Sequence, residues 1–217
     1  MHLAAMTLDS ETGIHLAAEG DISMDSAIST KETRAYEHRS GGLFGRNHTK
    51  ENRQYEEKVT ETQIATQGEF TISSKGDVVM VADVAVSQNV SISAGGDFLL
   101  SSTVAENRSL ESQSSSGLMH AHSKKEMLID QRVQKSDLSV GGALLVHSDG
   151  RILLQGAKIE ADESIRLGAK EGVYAITVTE EDYSVKEERS SGFLSSSRHL
   201  KREWEQKKTA TDLSSNP

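Results

Sequence analysis

A chain with no cysteine must draw any chemistry from carboxylates, imidazoles, hydroxyls and amines, and it can hold neither a disulfide nor a thiolate metal site. His120 and His122 would set two imidazoles on one face of a strand, a conceivable metal pair, but no third ligand follows nearby and a solvated arm is the simpler reading. Asp21, Asp77, Asp97 and Asp149 each adjoin a glycine and could suggest calcium. The Gly-Gly-x-Gly-x-Asp nonapeptide is absent, however, so these aspartates read as turn formers stacked at corners. Glu180/Glu181 and Glu187/Glu188 would serve as acid and base only if held across a cleft, and acids in runs on exposed arms are ordinarily solvation. Arg198-His199-Leu200-Lys201-Arg202-Glu203-Trp204 is a basic-aromatic cluster, diluted by Glu203 and Glu205 in a chain of net charge −9, so nucleic acid is not an expected partner. Neither a phosphate-binding Gly-Lys-Ser/Thr loop nor a His-Glu-x-x-His helix occurs. No catalytic residue, cofactor or metal is assigned, and the chain reads as a non-enzyme.

The candidate contact residues are apolar. Leu43 and Phe44, Leu118 and Met119, and Phe193 and Leu194 each follow a glycine, at steps of 75 residues, inside polar stretches with no core of their own. A second mark, Gly20-Asp21-Ile22, Gly96-Asp97-Phe98 and Gly172-Val173-Tyr174, recurs at 76. Two landmarks with nearly one period indicate tandem repeats, in which each unit buries its apolar face against its neighbours. One elongated domain, a piece of a larger protein, is expected, with repeats at about 1–65, 66–140 and 141–217.

Inside each repeat runs a shorter rhythm. Phe70-Thr71-Ile72-Ser73 through Gly76-Asp77-Val78 returns as Val90-Ser91-Ile92-Ser93 through Gly96-Asp97-Phe98, every matched position 20 apart. Leu144-Leu145-Val146 through Gly150-Arg151-Ile152 returns as Ile165-Arg166-Leu167 through Gly172-Val173-Tyr174 at 21 to 22. Alternating apolar residues mark short strands with one buried face, and Gly-Asp marks the corner between them. Two or three short strands in 20–22 residues fit one coil of a parallel β-helix. An apolar content of 35% with 4% aromatics is thin for a compact core but enough for a narrow column of Val, Ile, Leu and Ala. The single proline is Pro217, so none interrupts a backbone ladder. No signal peptide is read at Met1-His2-Leu3-Ala4-Ala5, and no apolar run approaches the ~20 residues of a spanning helix.

Polar excursions at about 29–62, 105–137 and 179–212 separate pairs of coils, each with a glycine-apolar pair near its middle. Long hairpins are expected, with helix as the competing reading for Glu126 to Lys135 and Leu200 to Lys208. Strands lie ~4.8 Å apart, so two coils advance ~9.6 Å, the width of one hairpin. Successive hairpins can therefore pair edge to edge in a continuous antiparallel sheet. Their apolar tips either fold back on that sheet or make an apolar edge for a partner protein or a membrane.

The coil motifs Ile14-His15-Leu16-Ala17-Ala18-Glu19-Gly20-Asp21 and Val90-Ser91-Ile92-Ser93-Ala94-Gly95-Gly96-Asp97, with the excursion motifs Ser114-Ser115-Ser116-Gly117-Leu118-Met119 and Ser190-Ser191-Gly192-Phe193-Leu194, resemble the hemagglutinin repeats of filamentous-hemagglutinin-like exoproteins. The resemblance covers essentially the whole chain. It implies an all-β fold, a right-handed parallel β-helix of about six coils with a hairpin excursion every two coils. It also implies export through an outer-membrane two-partner transporter to the surface of a Gram-negative bacterium, by way of the periplasm. The family includes host adhesins and the sticks of contact-dependent growth inhibition, which carry a toxin to a target cell. Partners are then a protein, glycan or outer membrane of the target cell, with end-to-end self-association through the uncapped coils. A pure structural spacer and a β-helical carbohydrate-active enzyme are the alternatives.

Overall fold

The computed structural model describes residues 1–42 and 45–215, which are all β with no helix. The first coil is β1 (His2–Ala4), β2 (Thr7–Ser10) and β3 (Gly13–Ala18). The second begins with β4 (Ile22–Asp25), leaves as the hairpin β5 (Ala27–Arg39) and β6 (Asn47–Thr60), and returns as β7 (Thr62–Thr66) and β8 (Glu69–Ser74). The third is β9 (Val78–Met80), β10 (Ala82–Val86) and β11 (Val90–Ala94). The fourth repeats the second: β12 (Phe98–Ser101), the hairpin β13 (Thr103–Ser116) and β14 (His120–Gln134), then β15 (Asp137–Val140) and β16 (Ala143–Ser148). β17 (Ile152–Gln155), β18 (Lys158–Ala161) and β19 (Ser164–Ala169) make the fifth. The last is β20 (Val173–Ile176), the hairpin β21 (Val178–Gly192) and β22 (Ser196–Thr209), and β23 (Asp212–Ser215).

Corresponding strands of successive coils pair in parallel, giving the sheets β1-β4-β9-β12-β17-β20, β2-β7-β10-β15-β18-β23 and β3-β8-β11-β16-β19. Three parallel sheets wound by one chain are a parallel β-helix. Register follows the sequence rhythm. Phe70 stacks on Val90 and Val90 on Leu144, with Ile14 beyond one end and Ile165 beyond the other. Alternation turns every second residue inward, so Ile72, Met80, Ile92, Phe98 and Leu100 are fully buried. Each such side chain contributes about 1.5–3 kcal/mol of transfer free energy.

Two polar devices close the corner between the third and first sheets. Ser74 Oγ donates to the Gly20 carbonyl at 2.7 Å and accepts from the Gly76 N–H at 3.1 Å. Ser148 repeats this with the Gly96 carbonyl at 2.6 Å and the Gly150 N–H at 3.1 Å. Beside them the Asp77 N–H donates to Asp21 Oδ1 at 2.9 Å, and the Asp97 N–H to Asp77 Oδ1 at 2.8 Å. The next member of that ladder is Arg151, whose N–H donates to Asp97 Oδ1 at 2.7 Å. Asp149 is therefore not in the stack: the fourth corner reads Gly-Arg where the first three read Gly-Asp, and Asp149 instead pairs with Lys170 at 2.8 Å.

At the corner between the first two sheets, alternate coils turn tightly and alternate coils extend. Gly156 makes one tight turn at φ +58°, where a Cβ would fall 2.8 Å from Val178 Cγ2 and 2.9 Å from Ser102 Oγ, so the turn needs glycine. The extended coils emit the hairpins. β6 pairs with β13 from Asn47–Ser116 to Glu56–Asn107, and β14 pairs with β21 from His120–Gly192 to Ile129–Tyr183. The result is one antiparallel sheet, β5-β6-β13-β14-β21-β22. Glu126 to Gln134 lies in β14 and Leu200 to Lys208 in β22, so both segments for which helix competed are strand. Arms of 13–15 residues reach roughly 43–50 Å at ~3.3 Å per residue. This sheet is a single layer. Its edge strands β5 and β22 are exposed almost throughout, and it does not pack extensively on the coils.

Candidate functional site

The tips are built by two-residue turns. The Gly117 N–H donates to the His120 carbonyl at 2.8 Å, and the Gly192 N–H to the Ser195 carbonyl at 2.7 Å. Leu118-Met119 and Phe193-Leu194 occupy the central positions of these turns, where no partner strand can cover them. They do not fold back on the sheet: Leu118 is 85%, Met119 61%, Phe193 81% and Leu194 92% exposed. Leu43 and Phe44, the third such pair in sequence, lie outside the described residues. Isolated apolar residues on a surface are ordinary, and apolar pairs exposed at the ends of long polar arms are the candidates for a contact surface.

Behind the tips, strand alternation sorts the arms into two unlike faces. One carries the cross-strand rows Leu110–Met127–Val185 and Tyr55–Arg108–Ile129–Tyr183–Trp204. There the Arg108 guanidinium stands 5.6 Å from the Tyr55 ring centroid. Trp204 lies on the edge strand and is exposed. The opposite face is polar apart from Leu128 and a few small residues near the base, with ion pairs such as Lys186–Glu126 at 2.9 Å. The Lys186 ammonium holds the Glu126 carboxyl below its usual range.

Adjacent residues of a strand point to opposite faces, which separates Glu187 from Glu188 and Glu180 from Glu181. Glu187 is engaged instead by Arg189 at 2.7 Å and Arg198 at 2.6 Å, and their hydrogen bonds hold it ionised below the usual carboxylate range. Glu180 accepts from the Val133 N–H at 2.7 Å. His120 and His122 stand two apart on β14, and no group of three metal-ligating side chains occurs among the described residues. A groove of about 590 Å³ runs along the outside of the second sheet, with Asp9 near one end and Glu160, Asp162 and Ser214 toward the other. Asp9 and Glu160 lie in one row, four strands apart through Ala65, Ala85 and Ser139. That is ~19 Å at ~4.8 Å per strand, too far for the pair to flank one glycosidic bond.

Sequence reasoning missed a carboxyl cluster under the hairpins. Asp83 and Asp137 each precede the register partners Val84 and Leu138 on adjacent rungs, and the Asp137 N–H donates to Asp83 Oδ1 at 3.3 Å. Burial, with a hydrogen bond to Asp83 and its charge, pushes Glu61 up to about 7, against the Gln134 amide that donates to it at 3.3 Å. The three acids come from different coils. The signal that could have found them is the repeat alignment, which sets Asp137 over Asp83 at matched positions.

A winding parallel β-helix emitting one paired hairpin every second coil is the arrangement to set against known families. The hemagglutinin-repeat family model matches residues 1–117, more than half the chain. This protein is a hemagglutinin-repeat protein. No curated protein and no solved structure gives a significant match. The hemagglutinin repeat is an adhesin-like, structural family of secreted and cell-surface exoproteins, and this filamentous-hemagglutinin-like segment is accordingly a surface segment in kind.

Proposed function

We propose that this segment is a non-enzymatic part of a surface stick that meets a target cell through its hairpin tips. On this reading the β-helix is the scaffold, and the hairpin sheet holds Leu118, Met119, Phe193 and Leu194 roughly 46–50 Å from it, at ~3.3 Å per residue. The process is contact between bacteria in growth inhibition, with delivery of a toxin, or else adhesion. The longer protein reaches the surface of a Gram-negative cell through a two-partner outer-membrane transporter. Exposed apolar residues on the end coils, among them Val173, Tyr174 and Leu213, are where further coils, or a second copy end to end, would stack.

The exposure of four apolar side chains in two tight turns carries the reading. Its test is binding of the purified protein to intact Gram-negative bacteria and to host epithelial cells, beside the variant L118S/M119S/F193S/L194S. The expected result is binding to one cell type that the variant loses while its melting temperature is kept. Undiminished binding by the variant would overturn the tips as contact points. Binding to neither cell type would leave the segment a spacer.

A further inference from the structure

Charge is distributed along the arms in a way the tips alone do not explain. The three spans 34–53, 110–127 and 185–202 hold 12 Lys and Arg against 6 Asp and Glu, of 24 and 33 in the whole chain. The rest of the molecule is therefore strongly acidic, with 12 basic residues against 27 acidic ones. The fold brings the three spans side by side. Their inner boundary is one cross-strand row, Arg34–Arg53–Leu110–Met127–Val185–Arg202, and everything from that row outward is the distal half of the sheet. A basic shoulder thus stands directly behind the apolar tips, on a protein whose remainder carries the opposite charge.

We infer that this distal half is a docking surface for a lipid bilayer bearing anionic phosphate headgroups, with the apolar tips entering the membrane interface and the basic shoulder resting on the headgroups. The inference rests on the reading of the tips as contact points. Three observations support a lipid over a folded protein. The apolar and basic parts come in the order a membrane presents its interior and its charged rim, tip first and cation behind. Lys125 and Arg202 have no carboxylate partner among the described residues, and Arg189 and Arg198 share the single carboxylate of Glu187. On one face a groove of about 630 Å³, bordered by Ser114, Ser123, Ser191 and Ser196, has Arg189 and Arg198 in its wall, a set of donors suited to phosphate oxygens. Acids on the proximal arms, such as Glu32, Asp182, Glu203 and Glu205, stand behind the shoulder on the side away from the tips, and the acidic coils do not oppose docking. The coils lie several Debye lengths from the tips, the Debye length being ~8 Å at physiological ionic strength.

The test is co-sedimentation of the whole chain with vesicles of phosphatidylglycerol in phosphatidylcholine, and with phosphatidylcholine alone. Partition onto the anionic vesicles is expected to be at least ~10-fold stronger and to fall as salt rises. The variant K125Q/R189Q/R198Q should lose ~10-fold or more on anionic vesicles while its melting temperature holds. The variant L118S/M119S/F193S/L194S should lose binding to both vesicles. Equal partition onto neutral and anionic vesicles, or insensitivity to salt, would overturn the inference. Binding to intact cells but to no vesicle, lost in the tip variant, would overturn it too while leaving the tips as a contact surface for a protein or glycan. Binding to neither would sink both readings.

Discussion

The coils and the hairpin sheet are made from strands of one chain at one repeat, yet different forces hold them. In the coils, each strand turns half its side chains into a dry column, so the backbone ladder and apolar burial act together. The hairpin sheet has no second layer among the described residues, and strand pairing with cross-strand contacts must suffice. A single-layer sheet survives here because it does not fold alone. The β-helix fixes both ends of every hairpin at a spacing that matches the next hairpin, which removes most of the loop-closure cost of pairing them. The body can then tolerate little change, while the arms are free to vary in what they present.

The sharpest break in that comparison is a large-to-small change in each region. Phe98→Ala in the column should cost about 3–5 kcal/mol in denaturant unfolding, enough to threaten the fold. Met127→Ala on the hairpin sheet should cost under about 1 kcal/mol. Equal losses would mean that the sheet has a core of its own. Next in size is Ser148→Ala, which removes the hydroxyl's bonds at the half-buried corner but leaves the Gly150 N–H donating to the Gly96 carbonyl at 3.0 Å, and should cost about 0.5–1.5 kcal/mol in the same assay.

A smaller and pH-dependent effect is expected where the two regions join. Glu61 is raised from 4.5 to about 7 in the folded protein, so the folded state binds its proton more tightly than the unfolded chain does. Stability from this group is full below about pH 4.5 and is lost as pH rises through about 7. Glu61→Gln should therefore raise the melting temperature at pH 8 and change it little at pH 5. A variant with the same offset at both values would show that the carboxyl is unperturbed. Smallest of all is Leu128→Ser on the polar face of the arms, expected within about 0.5 kcal/mol of the wild type.

Much of this was legible before any coordinates. The 20-residue match of Phe70 with Val90 is a rung, because a coil repeats at the length of its three strands. The 75-residue match of the tips gives one hairpin for two coils, and strand spacing alone says that such hairpins can touch. What stayed hidden depends on residues meeting across repeats. Arg151 holds the corner place of an aspartate, and a search for Gly-Asp passes over it to the neighbouring Asp149. The Glu61, Asp83 and Asp137 cluster joins three coils. The two unlike faces of the arms, and the basic distal half, emerge only when antiparallel pairing lays 34–53, 110–127 and 185–202 beside one another. Composition showed a chain of net charge −9 and concealed a basic end.

Hydrogen–deuterium exchange with and without the target surface reads both regions in a single experiment. Alone, the amides of β9, β12 and β17 should exchange slowest, and those of the edge strands β5 and β22 fastest. On adding cells or vesicles that bind, new protection should appear at residues 113–123 and 187–199 and nowhere on the coils. Protection gained on the outer faces of the coils, with the tips unchanged, would contradict the division between a scaffold that stabilises and tips that touch.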